Sequence, residues 1–242
     1  MLKSKDIIMD NHPNLRKKSE PVKLPVSPED KQILRNLLSY VLESQNPDKT
    51  DSEMRSAVGL AAPQVNISKQ MFAIITQDLD GELHVLGVVN PRIIKRSKEM
   101  TFIPGGEGCL SVSRETEGML TPRYRSIVVE AYFLDFEKDR FIKKRMTFKD
   151  YIAIVFQHEY DHLQGTLFTD KMFKDLANLE PLYPAEESLN WYIKILPAAN
   201  TLRLSKPVLS TNKISSHKAR TSSGKPFPSL PNKRNIFSLV GL

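Results

Sequence analysis

The stretch VFQHEYDHLQG, from Val155 to Gly165, limits what this chain of 242 residues can fold into more than any other feature. It closes a largely apolar segment that has a capping signal at Thr147 and Asp150 and a stop signal at Gly165. These signals predict a buried helix over residues 147–163. Such a helix must also find partners for its polar side chains, because unpaired polar groups are costly in a protein interior. We therefore expect the fold to be built around this helix.

Two histidines of this helix are spaced for metal binding. His158 and His162 are one helical turn apart and lie on the same face, with Glu159 about 100° away. Two imidazoles at this spacing, with a glutamate after the first, match a zinc-type metal motif. A catalytic site of this kind needs a third protein ligand and an open fourth position for water.

The single cysteine, Cys109, is the candidate for that third ligand. It lies in GGEGCLSVS, where glycines would let the backbone approach a metal or an extended ligand, and where CLSV is predicted to be a short strand. A thiolate with two imidazoles is an acceptable ligand set for zinc or, because sulfur is a soft ligand, for ferrous iron.

The segment AVGLAAPQV, from Ala57 to Val65, is small and apolar, with one polar side chain at Gln64. One interpretation is a tight turn packed in the core. The other is a wall that a ligand approaches closely, with the Gln64 amide directed at a developing negative charge.

The remaining pattern predicts an α+β fold. SPEDKQILRNLLSYVLES has a Ser27 cap, Pro28 at the first helical position and apolar residues at helical spacing, which predict an N-terminal helix. QMFAIIT and ELHVLGVVNPRII predict one β-hairpin, and SIVVEAYFLD with RFIKKRMTF predicts a second. We therefore expect antiparallel or mixed sheets around a central metal-binding helix.

The net charge of +7 is concentrated at the C-terminal end. Residues 203–242 contain eight Lys or Arg and no Asp or Glu, so the rest of the chain is close to neutral. This segment shows no helical or alternating period and is predicted to be disordered or loosely attached. It is either a solvated appendage or a polybasic arm that contacts nucleic acid such as ribosomal RNA.

Three motifs, GLAAPQ, EGCLS and QHEYDHLQG, occur in this order and resemble the three signature motifs of the peptide deformylases. The resemblance extends from about the N-terminal helix to about residue 185. It implies a catalytic domain at residues 1–190 and a basic extension at 191–242. The long polar insertion before AVGLAAPQ is similar to the deformylase subgroup common in Gram-positive bacteria. The implied activity is metal-dependent hydrolysis of the N-formyl group from the initiator formyl-methionine of nascent polypeptides, which releases formate.

The resemblance also implies roles for individual residues. Glu159 would be the general base that takes a proton from water and passes it to the leaving amine. The backbone N–H of Leu110 and the amide of Gln64 would stabilise the oxyanion. The metal ligands would be Cys109, His158 and His162. The substrate-binding residues would be Val58, Gly59, Glu107, Gly108, Arg123, Ile154 and Val155.

The implied cofactor is one divalent ion, Fe²⁺ in the cell, with Zn²⁺ or Ni²⁺ as occupants after purification. The implied partners are formyl-methionine nascent peptides and the ribosome, the latter through the basic residues of 203–242. We expect a cytoplasmic protein with no membrane contact, because the sequence has neither a membrane-length apolar run nor a signal-peptide core. We also expect it to be bacterial and monomeric. The chain departs from the family pattern in its basic extension and at Ala57, where the family usually has glycine.

Two other functions share parts of this pattern. A zincin-like metalloprotease has the same helix motif but usually completes its site with a downstream histidine or glutamate. The only histidine after His162 is His217, which lies in the basic extension. A non-catalytic protein with a structural metal normally supplies four ligands. The remaining histidines, His12 and His84, have no recognisable ligand spacing.

Overall fold

The computed structural model describes residues 1–112 and 118–185, so the predictions for the basic extension at 191–242 lie outside this part of the chain. The described residues form helices α1 (Pro28–Ser44) and α2 (Asp150–Leu163). The strands are β1 (Gly59–Ala61), β2 (Met71–Gln77), β3 (Leu83–Arg96), β4 (Met100–Phe102), β5 (Arg123–Tyr124), β6 (Ser126–Asp135), β7 (Arg140–Lys149) and β8 (Glu180–Pro181). No helix within these two ranges is long and apolar enough to cross a lipid bilayer.

The strands form two sheets. The larger one is antiparallel, with strand order β1-β2-β3-β6-β7. The smaller one has the order β5-β4-β8, with β4 antiparallel to β5 and parallel to β8. Both predicted hairpins are confirmed, since β2 pairs with β3 and β6 pairs with β7 in continuous register. The α+β class with antiparallel and mixed sheets is therefore confirmed.

The large sheet separates two hydrophobic clusters, and β2 shows how. Alternate residues of this strand lie in different clusters: Phe72 and Ile74 pack with α2, whereas Met71, Ala73 and Ile75 pack with α1. Successive side chains of a strand point to opposite faces, so the two helices cover opposite faces of the sheet. The sheet places α2 as a buried central helix, as the sequence predicts.

Helix α1 begins and ends where local signals predict. The Ser27 hydroxyl accepts a hydrogen bond from the Asp30 N–H at 3.1 Å, and Pro28 occupies the first helical position. At its other end, Gln45 donates to the carbonyls of Ala57 (2.9 Å) and Ile75 (2.8 Å). These bonds join the end of α1 to the segment that leads into β1.

The predicted start of α2 at Thr147 is wrong. Strand β7 continues through Thr147, which pairs with Val128, as far as Lys149. The helix begins at Asp150, whose φ of +54° turns the chain from strand into helix. Arg125 stabilises this turn: its carbonyl accepts from the Asp150 N–H and its guanidinium donates to the Asp150 carboxylate, both at 2.8 Å. The predicted end is confirmed at Leu163, with Gly165 at φ +72°.

The predicted strand at CLSV is also wrong. The segment is a turn in which the Val112 N–H donates to the Cys109 carbonyl at 3.3 Å. A short apolar run does not reveal whether a neighbouring strand will pair with it. Here the Ser111 carbonyl instead accepts from the Asp10 N–H at 2.8 Å, which attaches the turn to the N-terminal segment.

Candidate metal and catalytic site

Helix α2 presents two imidazoles on one face, held in place by the packing of the other. His158 and His162 have ring centroids 5.0 Å apart, as expected for residues one turn apart. On the core side, the Phe156 ring lies 5.0 Å from Phe72 and 5.2 Å from Phe148. Aromatic contacts of this kind fix the rotation of the helix about its axis, and with it the direction of the histidines.

Cys109 joins the two histidines in a three-ligand cluster. Its Sγ lies 3.4 Å from Nε2 of His162, and one ligand atom of each of the three residues lies within 4.8 Å of the other two. The cysteine packs against Val112 and Phe168, and the Phe168 ring stacks on His158 with centroids 5.7 Å apart. One thiolate and two imidazoles suit a tetrahedral divalent ion with its fourth position open, so the donor set fits a catalytic metal.

A buried carboxylate orients His158. Oε2 of Glu107 lies 2.8 Å from Nδ1 of His158. Arg123 holds the same carboxylate with two parallel bonds, Nε to Oε1 at 2.7 Å and a terminal nitrogen to Oε2 at 2.8 Å. A carboxylate on the outer nitrogen of a metal-binding histidine fixes its ring orientation and raises its basicity.

The charge network continues behind Arg123. Its second terminal nitrogen donates to Asp161 at 2.5 Å, and Lys171 donates to both oxygens of Asp161 at 2.7 Å. The Arg123 side chain is only 2% exposed. All of its guanidinium bonds are thus directed at protein carboxylates, and it lies behind Glu107 rather than in the cavity wall described below. The arginine was predicted to bind substrate, and the structure gives it a different position.

Glu159 reaches across to β1, where only glycine leaves room for it. The Glu159 side chain is buried, and a Cβ built on Gly59 would lie 2.3 Å from its Oε1, far inside van der Waals contact. Its other oxygen, Oε2, is buried without a hydrogen-bond partner among the described residues. A buried carboxylate oxygen without a partner is unusual in a stable core and typical of a group reserved for a ligand.

Gln64 is fixed with its amino group directed at the cysteine. The Ala61 N–H donates to Oε1 of Gln64 at 2.9 Å, which determines the orientation of the amide. Nε2 then lies 3.5 Å from Cys109 Sγ and 3.3 Å from the Ser111 hydroxyl. The segment around Gln64 is β1 followed by a short 3-10 helix, Ala62–Val65, so AVGLAAPQV is a packed turn that also lines a cavity.

A cavity of about 530 Å³ opens beside these groups. Eleven of the sequence-predicted site residues line it: Val58, Gly59, Gln64, Glu107, Gly108, Cys109, Leu110, Ile154, Val155, His158 and Glu159. His162 contributes to the ligand cluster from one turn further along α2. The described structure therefore brings all the predicted site residues together, with Arg123 behind the cavity wall, where it bonds to Glu107.

Sequence reasoning missed part of this wall. The lining residues without a predicted role are Lys49, Met54, Arg55, Ser56, Ala57, Ile103, Gly106, Tyr151 and Tyr183. Tyr151 could have been found, because it lies two turns before His158 on the same helical face. Ala57 belongs to AVGLAAPQV, which the sequence already offered as a wall, and the remaining residues come mainly from loops whose position depends on tertiary contacts.

Alanine is compatible with position 57. Its φ lies outside the left-handed region that would favour glycine. The backbone N–H of Ala57 donates to the Ser44 hydroxyl at 3.1 Å, and its carbonyl accepts from Gln45. The departure from the family pattern therefore narrows the wall without straining the backbone.

Burial and the charge network set the protonation of the site. Burial raises the pKa of Glu159 to about 7. Burial alone would raise the pKa of Glu107, but the charge and hydrogen bonds of Arg123, with those of His158, lower it to about 2. Burial also lowers the pKa of His162 well below its ordinary value, whereas for His158 the charges and hydrogen bonds of Cys109 and Glu107 outweigh burial and raise the pKa.

Comparison with known protein families gives one consistent result. A family model described as polypeptide deformylase matches residues 4–177. A peptide deformylase of Halalkalibacterium halodurans is 44% identical over 173 residues, which cover 71% of this chain and 92% of the relative. Peptide deformylase 2 of Bacillus subtilis is 41% identical over 182 residues, or 75% of this chain and 96% of the relative.

Solved structures agree with these sequence matches. A class I type b peptide deformylase of Acinetobacter baumannii, crystallised with Met-Ala-Ser bound, is 27% identical with a TM-score of 0.55, over 68% of this chain and 96% of that one. The peptide deformylase of Thermotoga maritima is 28% identical with a TM-score of 0.53, over 69% of this chain and 96% of that one.

Proposed function

The chain belongs to the polypeptide deformylase family, and we propose that Cys109, His158 and His162 hold the metal at which it acts. The protein is a hydrolase that removes the formyl group from N-formyl-methionine peptides. The single observation that carries the assignment of the site is the convergence of three ligand atoms within 4.8 Å beside the cavity. Family membership decides against the zincin-like protease and the structural-metal protein as alternatives.

We infer that the resident ion is Fe²⁺. A thiolate and two imidazoles also accept Zn²⁺ and Ni²⁺, which bind such donors more tightly than Fe²⁺ and can replace it during purification. When bound, the ion supplies Lewis-acid activation of water and polarises the formyl carbonyl. The clamp of Glu107 and Arg123 on Nδ1 of His158 leaves the other ring nitrogen available as the ligand atom.

Glu159 is the proton carrier. Its carboxylate is buried, has one unpartnered oxygen among the described residues, and lies on the cavity wall beside the ligand cluster. It takes a proton from the water whose oxygen bonds to the formyl carbon. It gives that proton to the amine nitrogen of methionine as the C–N bond breaks, which releases formate and the free amine. The close fit against Gly59 limits the positions the carboxylate can adopt.

Gln64 and Leu110 stabilise the oxyanion. The orientation of the Gln64 amide is fixed by Ala61, so its N–H groups are preorganised towards the ligand cluster. Leu110 follows Cys109 directly and lines the cavity, where its backbone N–H is the second donor. Preorganised donors of this kind stabilise the charge that develops on the carbonyl oxygen in the transition state.

The substrate peptide binds along the cavity wall. Val58, Ile154 and Val155 form the apolar surface that receives the methionine side chain. Gly59 and Gly108 contact the peptide main chain. Because CLSV is a turn, we assign the extended edge instead to β1, which within residues 1–112 and 118–185 pairs only with β2 and ends the large sheet. Pairing through main-chain atoms explains how one enzyme can accept many nascent sequences.

Glu107 and Arg123 act through His158 rather than on the substrate. The Glu107 carboxylate is occupied by Arg123 and His158, so only its main chain is free to meet a peptide. Arg123 is a positioning residue, because it maintains the orientation of Glu107.

The test of the proposed function is formate release from formyl-Met-Ala-Ser by protein purified without oxygen and analysed for metal. We expect hydrolysis in proportion to the metal content. The acetyl-Met-Ala-Ser peptide is the matched control, because an extra methyl group tests whether the small wall formed by GLAA excludes larger acyl groups. Metal-loaded protein that releases no formate would overturn the assignment.

The contact with the ribosome and the monomeric state are part of the proposal. The basic residues of 203–242 lie outside the described residues and remain a sequence-based prediction. Truncation after about residue 200 should preserve formyl-peptide hydrolysis and weaken ribosome binding in a salt-dependent manner. Ribosome binding that depends on neither truncation nor salt would contradict the role of the extension.

A further inference from the structure

One wall of the cavity is formed by the loop between α1 and β1. Lys49, Met54, Arg55 and Ser56 of this loop line the same cavity as Cys109 and Glu159. Arg55 attaches the loop to the site, because its guanidinium donates to the carbonyl of Leu110 and, at 3.4 Å, to that of Val112. A peptide that leaves the cavity past this wall must pass the side chains of the loop.

The loop contributes two charged side chains to the cavity wall, Lys49 and Arg55, and both are cationic. Lys49 is partly exposed, and its ammonium group has no hydrogen-bond or ion-pair partner within residues 1–112 and 118–185. Arg55 adds a second positive charge, since carbonyl acceptors do not neutralise a guanidinium. An unpaired cation beside a ligand cavity raises the local concentration of anionic groups.

The acidic side chains that line the cavity are committed elsewhere. Glu107 lines the cavity but is held by Arg123 and His158. Asp51 of the same loop accepts hydrogen bonds from the backbone and hydroxyl of Ser4, at 2.9 and 2.8 Å, and does not line the cavity. Glu159 is buried against Gly59. Nothing acidic among the described lining residues is therefore left to pair with Lys49.

We propose that Lys49 is a specificity residue that favours formyl-methionine peptides carrying a carboxylate downstream of the methionine. This inference rests on the proposed function and names a preferred class of its substrates. The carboxylate has two sources: an Asp or Glu side chain of the nascent chain, or the C-terminal carboxylate of a short peptide. Because the ion pair forms at a partly exposed site, we expect a preference of about two- to five-fold in kcat/KM.

The test compares matched peptides in matched variants. Formyl-Met peptides with Asp or Asn at the second, third or fourth position, all amidated at the C-terminus, isolate the side-chain source. Formyl-Met-Ala-Ser as free acid and as amide isolates the terminal source. For wild type, Lys49→Gln, Lys49→Glu and the control Lys23→Gln, the ratio of kcat/KM for the acidic and neutral members of each pair is measured. Lys23 is exposed and lies outside the cavity wall.

We expect the wild type and Lys23→Gln to share the acidic preference at one or more positions. Lys49→Gln should remove it, Lys49→Glu should invert it, and about 0.5 M salt should weaken it in the wild type because exposed charges are screened. A Lys49→Gln variant that keeps the wild-type ratio, or a wild type with no preference, overturns the inference. Hydrolysis of the neutral amide by the wild type separates this outcome from failure of the proposed function, in which no peptide would be hydrolysed.

Discussion

Two clusters of the described residues each bring three potential ligand atoms within 4.8 Å of one another. They differ in the hydrogen bonds that their side chains make. The helix cluster consists of Cys109, His158 and His162. The turn cluster consists of Asp78, Glu82 and His84, at the hairpin between β2 and β3. Distance between ligand atoms alone does not distinguish them.

The environments of the two clusters are different. In the helix cluster the outer nitrogen of His158 is bonded to Glu107, which is held in turn by Arg123. In the turn cluster His84 and Asp78 bond to each other at 2.7 Å, and Glu82 is exposed. The first arrangement orients a ligand atom towards a shared position, whereas the second uses its ligand atoms to stabilise a turn. His84, for which the sequence shows no recognisable ligand spacing, is brought close to Asp78 and Glu82 by the hairpin.

The largest effect should follow from removing the thiolate of the helix cluster. Cys109→Ala leaves two imidazoles, which are too few for a catalytic site, so we expect bound metal and formyl-peptide hydrolysis both to be lost. Elemental analysis after anaerobic purification and an assay of formate release measure the two quantities. Hydrolysis that persists in Cys109→Ala would remove the cysteine from the ligand set.

The next largest effect should come from replacing Arg123, which holds the Glu107 carboxylate against His158 of the helix cluster. Arg123→Met removes the guanidinium that holds the buried Glu107 carboxylate and leaves Asp161 with Lys171 alone, so the free energy of unfolding should fall by about 3–5 kcal/mol. Metal affinity should fall about 10–100-fold as His158 loses its orientation. Urea unfolding and metal titration test these values.

Arg125→Met is the matched control for that variant. Arg125 pairs with Asp150 at a partly exposed position, so its removal should cost only about 0–1 kcal/mol. An equal decrease in the free energy of unfolding in the two arginine variants would show that the buried charge network contributes no more to stability than an exposed ion pair.

A smaller effect should follow from displacing the glutamate while keeping the metal. In Gly59→Ala the new methyl group overlaps the Glu159 carboxylate, so we expect normal metal content and a kcat reduced by about tenfold to a hundredfold. Gly105→Ala is the control, because a Cβ at Gly105 meets nothing within 4 Å. Unchanged kcat in Gly59→Ala would mean that the position of Glu159 is not critical.

The smallest effect should be found in the turn cluster. His84→Ala removes one hydrogen bond to Asp78 and an edge contact with Phe148, so we expect a loss of about 1 kcal/mol in unfolding free energy. Metal content and hydrolysis should equal those of the wild type. Loss of metal in His84→Ala would contradict the distinction between the two clusters.

Features set by neighbours in sequence were predictable. The Ser27 cap of α1, the two hairpins and the spacing of His158 and His162 depend on local signals, and the structure reproduces them. The start of α2 at Thr147 was wrong because pairing with Val128 extends β7, and a capping pattern cannot show that. Strand pairing also decided against a strand at CLSV.

Contacts between distant segments account for the rest. Glu107 and Arg123 could be identified from the family motifs, but their bonds to each other and to His158 require three separate elements to meet. Asp161 and Lys171 were not predicted at all, although a carboxylate within a buried helix indicates a partner. The Arg55 contact with Leu110 joins residues 55 positions apart, which no local pattern reveals.

Glu159→Gln tests the central claim most directly, because it preserves the size of the side chain and removes only its ability to accept a proton. Metal content and formate release from formyl-Met-Ala-Ser are measured on wild type and variant purified together without oxygen. We predict equal metal content and a rate lower by about 10²–10⁴-fold. A variant that hydrolyses the peptide at the wild-type rate with its metal in place would contradict the account.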